Sequence, residues 1–497
     1  MNVARCSALV LGLLVGCFSG VVAPRAILAE EGDAAQSSRP VNILFAIADD
    51  WGPHHAGAYG DPAVKTPTFD RIAREGVLFN NAFCTTPSCT PSRSAILSGQ
   101  YPWRLDSGAN LYAVFGNRFT TYPELLKMTG YQLGVSGKGW GPGSVERRGR
   151  QLIGPRYEDF PAFLKSRDTA KPFCYWLGSG DPHRAFVLGS GAAGGVELSK
   201  IRVPGYFPDN ETVRGDMADY YFAVQRFDTL VGEALAALEA AGELDNTLVV
   251  MTSDHGMPFP RAKSNLYDAG MRVPLAIRWP AHGKAGRTVE DFVNLADMAP
   301  TFLEAAGMHP PARMTGQSLM TVLQSSESGQ VDPERNIAFF GKERHVAAQA
   351  RPDWGGYPCR AVRTKDYLYI RNYRPDRWPA GTPDYRRASM PGGWYADCDN
   401  GPTKRYIVEN REQDAAHRRI YELSFGKRPA EELYILANDP EQLTNVAESA
   451  DYAQVKADLA ARLTAELVAS EDPREIGGGE KFDRYEYVGG APRYDER

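Results

Sequence analysis

Residues 41–48, Val-Asn-Ile-Leu-Phe-Ala-Ile-Ala, form an almost unbroken apolar run that stops at Asp49-Asp50. A strand this apolar has no face to turn to water. It therefore predicts the interior of a parallel sheet covered on both sides, not an alternating strand with one wet face. Similar runs recur: Tyr131–Ser136 ends at Gly137-Lys138, Phe173–Leu177 ends near Asp181-Pro182-His183, and Leu248–Ser253 ends in Asp254-His255. Val77–Cys84 reads as a further strand. Between them lie helical patterns at Thr68–Glu75, stopped by Gly76, and at Thr121–Thr129. Met217–Ala241 places apolar residues at 217, 220, 221, 224, 227, 231, 234, 235 and 238, one face of a long helix with Gly242 past its end. This alternation predicts a doubly wound α/β domain with a mostly parallel sheet over residues 41–335.

Past residue 335 the texture changes to short aromatic pieces such as Ala361-Val362-Arg363 and Tyr367-Leu368-Tyr369-Ile370, followed by a helical pattern over Ala453–Ser470. Residues 336–473 thus read as a smaller α+β subdomain, a four-stranded antiparallel sheet plus a helix, and residues 474–497 as a surface tail. A chain of 497 residues, 43% of them hydrophobic, can bury cores of that size. Its net charge of −5, without long runs of one sign, gives no footprint for nucleic acid.

The N-terminus carries Arg5, an apolar stretch from Ala8 to Phe18 and a polar segment from Glu30, which reads as an export signal too short to span a membrane. Residues 1–29 are assigned to it and 30–40 to a linker. Two processing routes stay open, cleavage near Ala29 or lipid attachment at Cys17 after Leu14-Val15-Gly16. Either leads to a periplasmic or secreted protein, with Cys84, Cys89, Cys174, Cys359 and Cys398 beyond the signal. An odd number in an exported chain marks one cysteine as chemically special. Cys84 and Cys174 lie in strand-like runs; Cys359 and Cys398 flank a loop-rich segment and form either a disulfide or two free thiols.

Cys89 opens Cys-Thr-Pro-Ser-Arg, with Ser94-Ala95-Ile96-Leu97-Ser98-Gly99 after it. Pro91 suits a first helical turn and Gly99 a helix stop. A side chain at 89 then faces free backbone N–H groups and the positive end of a helix dipole, with Arg93 one turn on. The plain alternative is an ordinary buried cysteine ahead of a helix. In open α/β sheets, ligands bind beyond the carboxyl ends of the strands, where Asp49-Asp50, Lys138, His183 and Asp254-His255 fall. Three aspartates and a histidine would repel one another without a cation. Oxygen ligands favour Ca²⁺ or Mg²⁺, and His255 leaves Mn²⁺ open. Lys138, Lys263 and Arg93 are the cations available to clamp a tetrahedral anion.

The run Pro87-Ser88-Cys89-Thr90-Pro91-Ser92-Arg93, with Ile96-Leu97-Ser98-Gly99, resembles the signature of the type I sulfatases. Gly137-Lys138-Gly139-Trp140, Asp181-Pro182-His183-Arg184, Thr252-Ser253-Asp254 and Lys263-Ser264-Asn265-Leu266-Tyr267 extend the likeness, within the family toward the heparan N-sulfatases (sulfamidases). The resemblance implies an alkaline-phosphatase-like fold and conversion of Cys89 to Cα-formylglycine by a formylglycine-generating enzyme or equivalent maturase. It further implies a metal, Ca²⁺ first, on Asp49, Asp50, residue 89, Asp254 and His255, with Arg93, Lys138, His183 and Lys263 in the catalytic set. Apart from the resemblance, Arg184, His345, Arg371, Arg374 and Arg377, with the aromatics Tyr373 and Trp378, are candidates for subsites of an acidic sugar, and the alternative for each is a solvated surface. The implied activity is hydrolysis of sulfate esters or N-sulfates of a glycan. Two residues depart from the family pattern: Trp140 stands where it has His, and His255 where many relatives have Asn. A phosphodiesterase or phosphonate monoester hydrolase is the alternative within the superfamily. A glycan-binding homologue with vestigial machinery is another, favoured by Trp140.

Overall fold

The computed structural model describes residues 39–384, 386–390 and 393–489. The segment read as an export signal, with Cys17, the expected linker up to residue 38 and the expected tail beyond 489 lie outside the described residues. No helix among the described residues is long and apolar enough to cross a membrane.

The strands in chain order are β1 (Asn42–Ala48), β2 (Val77–Phe83), β3 (Ala113–Phe115), β4 (Gln132–Ser136), β5 (Gly143–Val145), β6 (Phe173–Gly178), β7 (Thr247–Ser253), β8 (Leu275–Arg278) and β9 (Arg287–Asn294). Seven of these form one sheet in the order β4-β6-β1-β7-β8-β2-β9. β1 lies between β6 and β7, parallel to both, with Ile43 opposite Cys174 on one side and Leu248 on the other. All residues of β1 and β7 are buried, as their unbroken apolar runs require. β8 runs antiparallel to β7 and β2. Its four residues are too short a run to carry a period.

The pleat of β1 divides two cores. Ile43, Phe45 and Ile47 face a layer with Ile96, Leu97, Met298 and Phe302, while Leu44, Ala46 and Ala48 face Met217, Tyr220, Val224, Phe227 and Val231. The second set belongs to the helix Glu211–Ala240. It begins six residues before the apolar pattern does, because Asn210 accepts the Val213 N–H at 3.0 Å and starts the helix on polar turns.

A second sheet joins β10 (Ile337–Lys342), β11 (Cys359–Thr364), β12 (Tyr367–Asn372) and β13 (Glu431–Ile435), antiparallel throughout and in sequence order. The helix Ala453–Ala469 covers it, with Leu459, Leu463 and Leu467 against Val362, Tyr369 and Leu433. β3 and β5 pair separately.

The Cys359–Cys398 disulfide is not formed: all five cysteines among the described residues are free thiols and buried. Cys359 packs in the core on one side of the large sheet and Cys398 in the core on the other. The Cys398 thiol donates to the Asp399 carbonyl, 3.7 Å away.

Candidate active site

The central parallel strands β1 and β7 deliver Asp49-Asp50 and Asp254-His255 side by side, because Ala48 is in register with Ser253. Asp50 sits at φ 73°, a left-handed conformation that Asp tolerates better than most residues. Its N–H donates to Asp254 Oδ1 at 3.1 Å, and the next N–H, of Trp51, donates to Ser253 Oγ at 2.7 Å. These bonds turn both chains sharply at the sheet edge.

Cys89 is the first residue of the helix Cys89–Ser98, every residue of which is buried. Ser88 precedes it in extended conformation and does not cap the helix with its side chain. The Ser88 hydroxyl pairs instead with His345 Nδ1 at 2.8 Å, leaving the first-turn N–H groups to the pocket.

Charge is packed densely around position 89. Arg93 has no exposed side-chain surface. Its Nε donates to Asp254 Oδ2 at 2.8 Å, one terminal nitrogen lies 3.4 Å from Asp49 Oδ1, and the other donates to the Gly139 carbonyl at 2.8 Å. Lys138 is bonded to Asp49 Oδ2. Lys263 Nζ bridges Asp50 Oδ2 and Asp399 Oδ2, at 2.8 Å each. His183 Nε2 is 3.8 Å from Asp50 Oδ2, and its Nδ1 pairs with the Arg184 carbonyl at 2.5 Å.

These contacts set the ionisation of the carboxylates unequally. Burial acts to raise the Asp254 pKa, but His255, Arg93 and Lys138 hold it well below the ordinary carboxylate value. Burial likewise opposes ionisation of Asp50, and Lys263 followed by His183 brings it down. Asp49 is raised, by burial and by Asp254. Burial also pushes the Cys89 thiol above its ordinary value, so an unmodified Cys89 is neutral and a poor nucleophile near neutral pH.

Asp49, Cys89, Asp254 and His255 each offer one ligand atom, all within 4.8 Å of one another. Asp50 Oδ1 is buried with no hydrogen-bond partner among the described residues, 3.1 Å from His255 Nε2. Buried carboxylate oxygens converging with one of them orphaned fit a hard divalent cation.

Residues 41–148 and 149–308 match the Sulfatase family, and residues 258–380 match the domain described as N-sulphoglucosamine sulphohydrolase, C-terminal. The chain belongs to the sulfatase family. It is a sulfuric ester hydrolase. An ulvan-active sulfatase of Formosa agariphila is 30% identical over 86% of this chain and 80% of its own length. The human N-sulphoglucosamine sulphohydrolase is 28% identical over 88% of this chain and 91% of its own. The fold matches a protein solved in complex with D-glucosamine-2-N,6-O-disulfate, with a TM-score of 0.62, 22% identity, and coverage of 87% of this chain and 98% of that one. It also matches the phosphonate monoester hydrolase of Agrobacterium radiobacter, with a TM-score of 0.62, 20% identity, and coverage of 87% and 96%.

In this sulfatase the candidate residues separate into two groups. Asp49, Asp50, Cys89, Lys138, His183, Asp254, His255 and Lys263 converge. Arg93 joins them from behind, where its hydrogen bonds go to the carboxylates and to main-chain carbonyls, not toward the pocket. Arg184 is held by Asp216, with bonds of 2.7 and 2.8 Å, and by the Pro258 carbonyl, over the face of Phe259. His345 is buried against Ser88, and burial pushes its pKa down to about 3. Arg371, Arg374 and Arg377 are paired with Glu475, Asp376, and Asp353 with Asp483.

Trp140 does not face residue 89. Its indole N–H donates to Ser94 Oγ at 2.8 Å, and its ring packs edge-on against Phe115, bracing the flank of the Cys89 helix. His54 and His55 line a separate cavity of about 910 Å³. The imidazole beside position 89 is that of His255, with Nε2 3.4 Å from Cys89 Sγ.

Asp399 is the member of the site that sequence reasoning missed. It lies on a loop with no periodic pattern, 136 positions from its partner Lys263. Nothing but its carboxylate type singles it out among the acidic residues of that segment.

Proposed function

We propose that this sulfatase is exported and removes sulfate from a glycan, as an ester or an N-sulfate, using Cys89 after its oxidation to Cα-formylglycine. The observation that carries the reading is position 89 itself: a buried, neutral thiol at a helix N-terminus, ringed by Lys138, Lys263 and a cluster of metal-ligand type. As a hydrate, formylglycine supplies two hydroxyls on one carbon, one to attack sulfur and one to expel the sulfate afterwards. Asp49, Asp50, residue 89, Asp254 and His255 would hold a divalent cation, Ca²⁺ first, which would supply Lewis-acid polarisation and lower the pKa of a bound hydroxyl.

The chain's own residues do the rest. Lys138 and Lys263 grip the remaining sulfate oxygens, and the first-turn N–H groups of the Cys89 helix add a positive field. His183, with Nδ1 engaged by the Arg184 carbonyl, presents Nε2 at the pocket mouth, where it donates a proton to the departing oxygen or nitrogen. Arg93 ties Asp254 to Asp49 through contacts with both carboxylates. A glycan substrate is favoured by the names of the relatives, an ulvan-active sulfatase and an N-sulphoglucosamine sulphohydrolase.

Protein made with a formylglycine-generating enzyme is to be assayed on a panel of defined sulfated saccharides, with phosphate and phosphonate esters in parallel. Sulfate release that stops on EDTA treatment and returns with Ca²⁺ is the expected result. Faster turnover of the phosphorus esters than of every sulfate would replace this reading with the hydrolase alternative.

A further inference from the structure

Asp399 places a carboxylate at the mouth of a pocket that must attract an anion, an arrangement that needs a reason. Lys263 beside it is 2% exposed and reaches Asp50 and Asp399 alike, whereas the Asp399 side chain is 26% exposed. Oδ2 takes the lysine. Oδ1 has no hydrogen-bond partner among the described residues. Asp50, His183 and Asp399 have carboxylate and ring atoms within 4.8 Å of one another, but the Lys263 ammonium already provides the positive charge for that group. A carboxylate bonded to the Lys263 ammonium has no proton to donate, so Asp399 serves as an acceptor.

The loop carrying Asp399 is held rigidly. Asp397 accepts from Lys342 Nζ and from the Val346 N–H at 2.9 Å each. The Lys404 ammonium donates to the carbonyls of Trp394, Tyr395 and Cys398 and to Asn400 Oδ1, at 2.6 to 3.1 Å. A sulfate oxygen gripped by Lys263 then lies within about two hydrogen-bond lengths of the Asp399 carboxylate. That is the reach of a substituent on the ring carbon next to the sulfated one.

We propose that Asp399 reads the sugar beside the scissile sulfate, its free oxygen accepting a hydrogen bond from an O–H or N–H on the adjacent ring carbon and repelling a second anion placed there. The inference rests on the sulfatase reading of the pocket and narrows its substrate to saccharides with a vicinal donor. A site built to bond a donor discriminates strongly against analogues that lack it, and like charge adds rejection.

The test uses full-length Cys89→Ala protein, which does not turn over, with Asp399 intact or changed to Asn or Ala. Calorimetry with Ca²⁺ present measures the Kd of glucosamine 2-N-sulfate, of its 3-deoxy analogue and of glucosamine 2-N,3-O-disulfate. Losing the 3-hydroxyl and making Asp399→Asn should each weaken binding by about tenfold to a hundredfold, and together by little more than either alone. The disulfate should bind Asp399→Asn more tightly than the Asp399 parent. An equal loss for all three probes would make Asp399 a mere brace for Lys263 and overturn the inference. Should none of the three bind the parent, the inference also falls, while sulfate release from other members of the panel would leave the sulfatase reading standing.

Discussion

At position 93 a guanidinium with no exposed surface holds two buried carboxylates and three main-chain carbonyls in place. Removing it strands Asp254 and Asp49 in a low-dielectric interior. Arg93→Ala should therefore destabilise the fold by about 3–5 kcal/mol in urea unfolding. Lysine cannot restore the fork, so Arg93→Lys should recover less than half of that loss. His255 invites a different test, because its Nε2 faces both residue 89 and Asp50. His255→Asn keeps an oxygen ligand but removes the imidazole. Metal content by elemental analysis should hold, while kcat for sulfate release falls by about tenfold to a hundredfold. Unchanged kcat would assign His255 to the metal alone. The positions of Asp49, Asp50 and Asp254 were legible because each ends an apolar run at a sheet edge. The task of Arg93 was not, since its partner Asp254 is 161 positions away and a motif records neighbours only.

Among the elements, β4 and β6 meet most tightly just beyond their last paired residues, Ser136 and Leu177. Gly137 follows at φ 61°, and a Cβ there would lie 1.9 Å from the Gly178 carbonyl oxygen; a Cβ on Gly178 would lie 1.8 Å from that of Lys138. Two bare backbones let the strand ends close and aim Lys138 at Asp49. Gly178→Ala should push them apart, lowering stability by about 1–3 kcal/mol and raising KM for the sulfated substrate more than it lowers kcat. Wild-type KM would contradict the role given to this close approach. Strand and helix periods gave the elements away wherever a run was long, as in β1, β7 and the Glu211–Ala240 helix. They failed at β8, which has four residues, and at the polar first turns after Asn210, where a cap sets the boundary.

For the whole molecule, buried His345 and half-buried His55 tie stability to pH. Burial takes His345 to about 3 and His55 to about 4, while an unfolded histidine titrates near 6.5. Folded-state values are depressed, so this stability is full above pH 6.5 and is lost as the pH falls toward 4. Within that window the unfolded chain binds up to two more protons, a slope of about 3 kcal/mol per pH unit at most. Urea unfolding at pH 7, 5.5 and 4.5 should show the decline, and His345→Gln should flatten it by about half. The second sheet, which starts at Ile337, has the four antiparallel strands that the aromatic texture past residue 335 led one to expect. That its neighbouring loop reaches back to give Asp399 to the pocket could not be anticipated, because only the folded chain brings residue 399 to residue 263. The central claim is tested most directly by mass spectrometry of the peptide bearing residue 89, from protein made with and without a formylglycine-generating enzyme, read beside sulfate release. The account predicts a lighter, aldehyde-bearing peptide whose fraction tracks activity across preparations. Full sulfate release from protein whose residue 89 is entirely intact cysteine would contradict it.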